Sequence, residues 1–94
     1  MNFERMVFRL HALERMFKRK ISEKDVRNIV ETGKTIESYP DDQPYPSRLV
    51  FGWISNRPIH VVVADNQAQK EIIVITTYEP DTDRWEYDFE RRKQ

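Results

Sequence analysis

The chain has 94 residues, of which 38% are hydrophobic and 34% charged, and it contains no cysteine. This length predicts one core and a single domain, residues 1–94. Disulfides and thiolate metal sites are excluded because both need cysteine. The longest apolar runs are only of strand length, far short of the ~20 residues that span a membrane, and the charged N-terminus does not resemble a signal peptide. We therefore expect a cytoplasmic protein without a membrane partner.

The charge is unevenly distributed although 16 basic and 16 acidic residues balance overall. Residues 1–28 hold eight basic and four acidic residues, a net charge of +4, so the remainder carries −4. Such a basic region can attract phosphate groups even on a neutral protein. It can equally be a solvated helix face, and charge alone favours that simpler interpretation.

A first helix is predicted over residues 3–19. Its apolar residues recur at the three- and four-residue spacing that places side chains on one helix face. These residues are Phe3, Met6, Val7, Leu10, Leu13 and Phe17. His11, Arg15 and Arg19 form a second stripe that flanks this apolar face.

A second helix is predicted over residues 22–32. Ser22 and Asp25 have the spacing of a capping box, and Val26 with Ile29 belongs to the buried face. Gly33 follows as an expected left-handed terminator. The short connection between the two predicted helices indicates a helix hairpin.

Strands are predicted after Gly33 because the apolar period becomes two and proline-rich loops separate the segments. The predicted strands are residues 34–39, 47–54, 59–64 and 71–78, with a charged tail over 79–94. The fold class is therefore α+β, with two N-terminal helices followed by a four-stranded antiparallel meander. We expect the aromatic start of the tail to pack on the domain and residues 91–94 to fray.

The meander is apolar on both faces. One predicted face carries Leu49, Phe51, Trp53 and His60, whereas Tyr78 is assigned to the opposite face with Val61. Antiparallel sheets usually have one solvated face, so the second face needs a cover. The tail, a second copy of the chain or another protein are the alternatives, as is a partly open cleft.

No metal or cofactor motif is present in the sequence. Two glycines are too few for a glycine-rich phosphate loop, and no calcium-loop or nucleophile-elbow pattern occurs. The side chains that remain suit metal-independent RNA cleavage, in which a base and an acid transfer protons and arginine stabilises the charged transition state. The candidates are His60, His11 and Tyr78 for catalysis, and Arg15, Arg48 and Arg19 for phosphate or RNA binding.

Each candidate also has a structural interpretation. His60 lies in an apolar strand and is typical of a packed histidine, and Tyr78 can belong to the core. His11 with Arg15 can stabilise a helix face, and Arg48 can pair with a local carboxylate such as Asp41 or Asp42. Taken one at a time, these simpler roles are the more frequent ones.

The same residues carry a family resemblance over nearly the whole chain. The segments are 11–16 (HALERM), 21–26 (ISEKDV), 39–42 (YPDD), 44–48 (PYPSR), 57–63 (RPIHVVV) and 78–81 (YEPD), with Trp85. Together they resemble the bacterial and archaeal family DUF4258, a domain of unknown function. Members resemble small type II toxin–antitoxin toxins of the RelE, MqsR and BrnT kinds, which are messenger-RNA interferases with two helices against a four-stranded sheet.

The resemblance implies a RelE-like or barnase-like architecture, and RNA and a cognate antitoxin as partners. We therefore predict a toxin-like, metal-independent endoribonuclease or an inactive relative of one. The alternative is a non-catalytic interaction module that binds another protein, or a second copy as a homodimer, through the second apolar face of the sheet.

Overall fold

The structure is a computed structural model that describes residues 3–94. Five strands and two helices make up the regular elements of this range. In chain order they are β1 Arg5–Phe8, α1 Leu10–Arg19, α2 Glu23–Thr32, β2 Lys34–Tyr39, β3 Ser47–Ile54, β4 Arg57–Asn66 and β5 Glu71–Tyr78. In the part of the chain that the structure describes, no helix is both long and apolar enough to cross a membrane.

The predicted four-stranded antiparallel meander is wrong. The sheet has five strands in the order β1-β5-β4-β3-β2, and it is mixed because β1 runs parallel to β5. The three hairpin-connected pairs β2–β3, β3–β4 and β4–β5 are antiparallel. The fold is therefore α+β, with the N-terminal strand added in parallel at one edge of a meander.

The extra strand, β1, lies within the first part of the predicted first helix. Met6 and Phe8 pack with the core between the helices and the sheet, whereas Val7 pairs with Ile73 and points to the other face. This two-residue alternation is that of a strand. The helix begins only at Leu10, so its prediction over residues 3–19 is wrong for the first seven positions.

The start of α2 is built as its sequence predicts. Ser22 Oγ accepts a hydrogen bond from the Asp25 N–H at 3.0 Å, and the Asp25 carboxylate accepts one from the Ser22 N–H at 3.3 Å. The capping box is thus confirmed. Gly33, in contrast, is extended with φ −77° and is not left-handed. It is needed for space, because a Cβ at this position would lie 2.5 Å from the carbonyl oxygens of Ile29 and Phe51.

The first face of the sheet is closed by the two helices. This first face and both helices contribute buried apolar side chains to one core: Ala12, Met16, Ile21, Val26, Ile29, Val30, Val50, Ile59, Val61, Val63, Ile72 and Val74. Gly52 lies under α2, where an added Cβ would come within 2.9 Å of Ile29. Burying this apolar surface from both sides is the main stabilisation of the fold.

A bulge decides which residues share the second face. Ile54 pairs with Arg57 across a two-residue turn, and His60 pairs with Phe51. Between β4 and β5 the register shifts, because Val62 pairs with Thr76 and Val63 with Val74, which leaves Ile75 as the extra residue on β5. His60 consequently pairs with Tyr78. A β-bulge places an extra residue in one strand and reverses the facing of those beyond it. The assignment of Tyr78 to the face opposite His60 is therefore wrong.

The chain after β5 folds back over the second face. Residues 84–93 form a turn, the tail hairpin, in which Trp85 bridges to Arg92 and the Lys93 N–H donates to the Arg84 carbonyl at 2.8 Å. Phe89 packs near Phe51 and Trp53, with ring centroids 6.4 and 6.1 Å away. The packed part of the tail thus extends to Arg92, further than the sequence indicates.

Candidate functional site

A cleft of about 510 Å³ opens between α1, the end of β5 and the tail hairpin. Four arginines dominate its lining, together with two acids and two aromatic residues. The lining residues are Arg15, Arg19, Tyr78, Glu79, Asp81, Arg84, Trp85 and Arg92. Four positive and two negative charges give this cationic cleft a net charge of +2.

One wall of the cationic cleft is the exposed flank of α1. Arg15 and Arg19 lie one helical turn apart, and the buried side chains of Ala12 and Met16 fix the helix on the sheet. Arg57 holds the C-terminal end of α1, because its guanidinium donates to the Arg19 carbonyl at 2.6 Å. A cation at this end also interacts favourably with the helix dipole.

The floor of the cleft is the C-terminal end of β5. Arg57 links this strand to α1, since its guanidinium also donates to the Glu79 carboxylate at 2.6 and 2.9 Å. Tyr78 precedes Glu79 and its ring lies on the second face beside His60. Asp81 begins the tail and accepts a hydrogen bond from the Asp83 N–H at 2.8 Å. The carboxylates of Glu79 and Asp81 and the phenol of Tyr78 therefore line the cleft at the end of β5.

The tail hairpin supplies the remaining wall. The Arg92 guanidinium carbon lies 4.6 Å from the ring centroid of Trp85, within cation–π range. Arg92 also donates to both carboxylate oxygens of Glu37 at 2.8 and 3.0 Å. This bond to Arg92 lowers the pKa of Glu37, and it raises the pKa of Arg92 in turn. The tail hairpin is thus fixed to β2 by an ion pair.

His60 lies directly behind this wall and is fully buried. Its Nε2 lies 2.7 Å from the Phe89 carbonyl oxygen, its Nδ1 lies 3.3 Å from the Tyr78 hydroxyl, and its ring meets Trp85 edge-on at 4.4 Å. A carbonyl oxygen can only accept, so Nε2 carries the proton and donates to Phe89. Nδ1 is then free to accept from the Tyr78 hydroxyl.

Burial sets the protonation state of this pair. Removal from water lowers the pKa of His60, because the charged imidazolium loses its hydration. Burial likewise raises the pKa of Tyr78, because the phenolate is disfavoured. Both groups are therefore neutral at neutral pH. A neutral His60 has a lone pair on Nδ1 that orients the Tyr78 hydroxyl at the edge of the cleft.

The structure brings some of the predicted site residues together and separates others. Arg15, Arg19 and Tyr78 line the cationic cleft, and His60 contacts Tyr78. His11 is exposed on α1, which packs on the first face of the sheet, whereas His60 lies on the second face. The two histidines are thus on opposite sides of the sheet.

Arg48 lies away from the cationic cleft. Its guanidinium donates to the Asp65 carboxylate at 2.9 and 3.2 Å and to the Thr35 hydroxyl at 3.3 Å. It pairs with Val63 on the helix-covered face and lines a separate cleft of about 490 Å³ beside Arg27. Its partner is Asp65, a carboxylate on the neighbouring strand, and not Asp41 or Asp42 of the loop.

Sequence reasoning missed Arg84 and Arg92, which provide half of the arginines in the cleft. Both lie in the charged tail, where acidic and basic residues follow one another without a helical or strand period. The available signal was the three aromatic residues Trp85, Tyr87 and Phe89, which indicated that this stretch packs on the domain, although Tyr87 itself is exposed. Nothing in the linear order indicated that packing would turn Arg84 and Arg92 toward α1.

The chemistry of the cleft is that of an anion-binding surface. Planar guanidinium groups bind phosphate through paired hydrogen bonds. Within residues 3–94, no group of three or more histidine, aspartate or glutamate side chains is arranged to hold a metal ion. The arrangement can therefore bind a phosphodiester next to a phenol and a carboxylate.

Comparison with known families gives one result. Residues 8–79 match the family described as domain of unknown function DUF4258. The chain belongs to this family. No curated protein and no solved structure matches it. The matched DUF4258 residues include Arg15, Arg19, His60 and Tyr78, whereas the tail hairpin lies beyond the match.

Proposed function

We propose that this DUF4258 protein binds single-stranded RNA in the cationic cleft and cleaves it without a metal, as a toxin-like endoribonuclease. The observation that supports this proposal is the convergence of four arginines in one cleft that Tyr78 also lines. Arginine in a partly enclosed site binds phosphate strongly because its donors match the geometry of the oxygens. RNA is favoured over DNA because the proposed cleavage needs the ribose 2′-hydroxyl, which DNA lacks.

The four arginines do not act alike. Among the described residues, no ion pair involves the side chains of Arg15, Arg19 or Arg84, whereas Arg92 is held by Glu37. Arg15, Arg19 and Arg84 are therefore available to bind phosphate, and Arg92 is fixed as a part of the wall. A phosphate placed among them would lie beside Tyr78, and its charge would offset the net +2 of the lining.

Cleavage would use the Tyr78–His60 pair. The ribose 2′-hydroxyl gives its proton to the Tyr78 oxygen as the Tyr78 proton passes to Nδ1 of His60. The 2′-oxygen then bonds to phosphorus and the bond from phosphorus to the 5′-oxygen breaks. Water protonates the departing 5′-oxygen, and the hydroxide that forms takes the proton back from His60 through Tyr78, which leaves a 2′,3′-cyclic phosphate, a 5′-hydroxyl and the neutral pair. Arginine stabilises the extra negative charge of the transition state.

RNA binding is tested with a labelled single-stranded RNA and the double variant Arg15→Gln/Arg19→Gln. We expect weaker binding and a smaller dependence of the affinity on salt, by about 0.7 in the logarithmic slope for each lost phosphate contact. Arg27→Gln is the matched control, because Arg27 is an exposed helix arginine outside the cationic cleft. Equal binding by both variants would refute the proposed site.

Cleavage is tested separately by incubating the same RNA in the presence of a chelator. Tyr78→Phe should retain RNA binding and lose about 10²- to 10⁴-fold in rate, since only the proton relay is removed. His11→Gln should leave the rate unchanged. Binding without any 2′,3′-cyclic product from the wild-type protein would leave an RNA-binding protein and end the nuclease hypothesis.

A further inference from the structure

The apolar stripe of α1 does not lie where its spacing predicts. Leu10, Leu13 and Phe17 have the spacing of a buried helix face, yet their side chains are 72%, 39% and 88% exposed. The helix is attached to the sheet through Ala12 and Met16 instead. Single exposed apolar residues are ordinary, but three on one stripe form a continuous patch over two helical turns.

This α1 stripe, Leu10, Leu13 and Phe17, is separate from the cationic cleft. At about 100° per residue, its centre lies roughly 110° around the helix from the direction of Ala12 and Met16. Arg15 and Arg19 lie on the opposite flank of that direction. The two surfaces of α1 can therefore be occupied at the same time.

Three exposed basic residues lie near the α1 stripe. Arg9 precedes the helix and Lys20 follows its last turn, whereas Lys18 lies about 100° around the helix from Phe17, beyond Glu14, and all three basic residues are exposed. In the range 3–94, none of them takes part in an ion pair. Glu14 is the nearby acid, so these four residues carry a net charge of +2. A second copy of the chain would bring like charges together, which disfavours self-association through this surface.

We propose that the α1 stripe binds an amphipathic helix of another protein, with apolar residues facing the stripe and acidic residues on its flanks. Helical spacing of the three anchors fits an apolar helix face laid along α1. Acidic side chains on that helix would meet Arg9, Lys18 and Lys20. This interaction does not depend on RNA binding, because it uses the other flank of α1.

The test is selection of ligands from a display library of random peptides against the whole protein. We expect the selected peptides to carry apolar residues at three- and four-residue spacing with aspartate or glutamate between them. Phe17→Ser should weaken binding of a selected peptide about tenfold or more, as for an aromatic anchor at an interface. Tyr87→Ser is the matched control, because Tyr87 is also an aromatic residue that is 85% exposed.

A charge-reversed protein, Arg9→Glu/Lys18→Glu, gives an independent test. Binding of the selected acidic peptide should weaken about tenfold, and more at low salt than at high salt. Selection of peptides without acidic residues, no selection at all, or equal losses for Phe17→Ser and Tyr87→Ser would overturn the proposal. So would a homodimer that Phe17→Ser dissociates, or displacement of the peptide by single-stranded RNA.

Discussion

The two faces of the sheet are closed by different kinds of contact. On the first face, α1 and α2 cover apolar side chains with other apolar side chains, as at Ile29 and Val61. On the second face, the tail hairpin covers His60 with aromatic edges, one backbone carbonyl and the Glu37–Arg92 ion pair. The two helices that cover the first face lie inside the residues that match DUF4258, whereas the tail hairpin that covers the second face lies beyond residue 79.

This difference indicates which face can open. A helix layer that shares one core with the sheet is lost only when the whole domain unfolds. A short hairpin held by a few aromatic and polar contacts can detach locally at a lower free energy. Opening of the second face would expose His60 and remove Arg84 and Arg92 from the cationic cleft while the first face stays intact.

The largest effect is expected from a cavity on the first face. Ile29→Ala should lower the free energy of unfolding by about 2–5 kcal/mol, because Ile29 is buried against Gly52, which has no side chain to fill the space. Denaturant unfolding measures the change. Phe17→Ala, at an exposed position of α1, should change the stability by less than about 0.5 kcal/mol. Similar losses for both would contradict the assignment of the core.

A smaller effect on global stability is expected from the second face. Trp85→Ala should lower the free energy of unfolding by less than Ile29→Ala, although tryptophan is the larger residue, because the tail hairpin detaches without unfolding the core. Hydrogen exchange should accelerate at amides that are bonded within the tail hairpin, such as Lys93, and stay slow at Val61. Equal acceleration at both positions would show that the two faces open as one unit.

The smallest effect on the free energy of unfolding is expected from a change of pH. Because burial lowers the pKa of His60 in the folded state, the unfolded state binds the extra proton as pH falls below about 6.5. The free energy of unfolding should then decrease by at most about 1.4 kcal/mol per pH unit until the folded-state pKa is reached, and should gain nothing above pH 6.5.

Variants assign this pH dependence to one histidine. His60→Gln should remove the decrease, whereas His11→Gln should retain it because His11 is exposed. Unfolding curves recorded between about pH 5 and pH 7.5 distinguish the two. A decrease that disappears in His11→Gln and persists in His60→Gln would place the titrating group on α1.

Local signals in the sequence predicted the elements that depend on nearby residues. The capping box of α2 needs only Ser22 and Asp25, three residues apart, and it is present in the structure. The two-residue period likewise indicated the strands of the meander. The spacing did not predict β1, because its partner β5 lies more than 60 residues away and a four-residue segment with three apolar residues fits a strand as well as a helix turn.

The candidate site was predictable in part for the same reason. Arg15 and Arg19 share a helix flank by spacing alone, and the cationic cleft contains both. The prediction for Tyr78 names the wrong face, because a bulge opposite Val62 inserts one residue into β5 and reverses which face the following side chains occupy. No sequence pattern indicates this bulge. The spacing of the α1 stripe is that of a buried helix face, but the stripe is exposed. Spacing shows which residues share a helix face and does not show what that face packs against.

The sequence by itself determined an α+β domain with a capped second helix, paired apolar strands and a second sheet face that needed a cover. Only the tertiary structure decided that the protein's own tail is part of this cover, that β1 joins the sheet in parallel, and that His60 is buried behind the cleft. The physical reason is the range of the interactions. Caps and periods act over a few residues, whereas burial, strand pairing and the convergence of Arg15 with Arg92 join parts of the chain that are far apart in sequence.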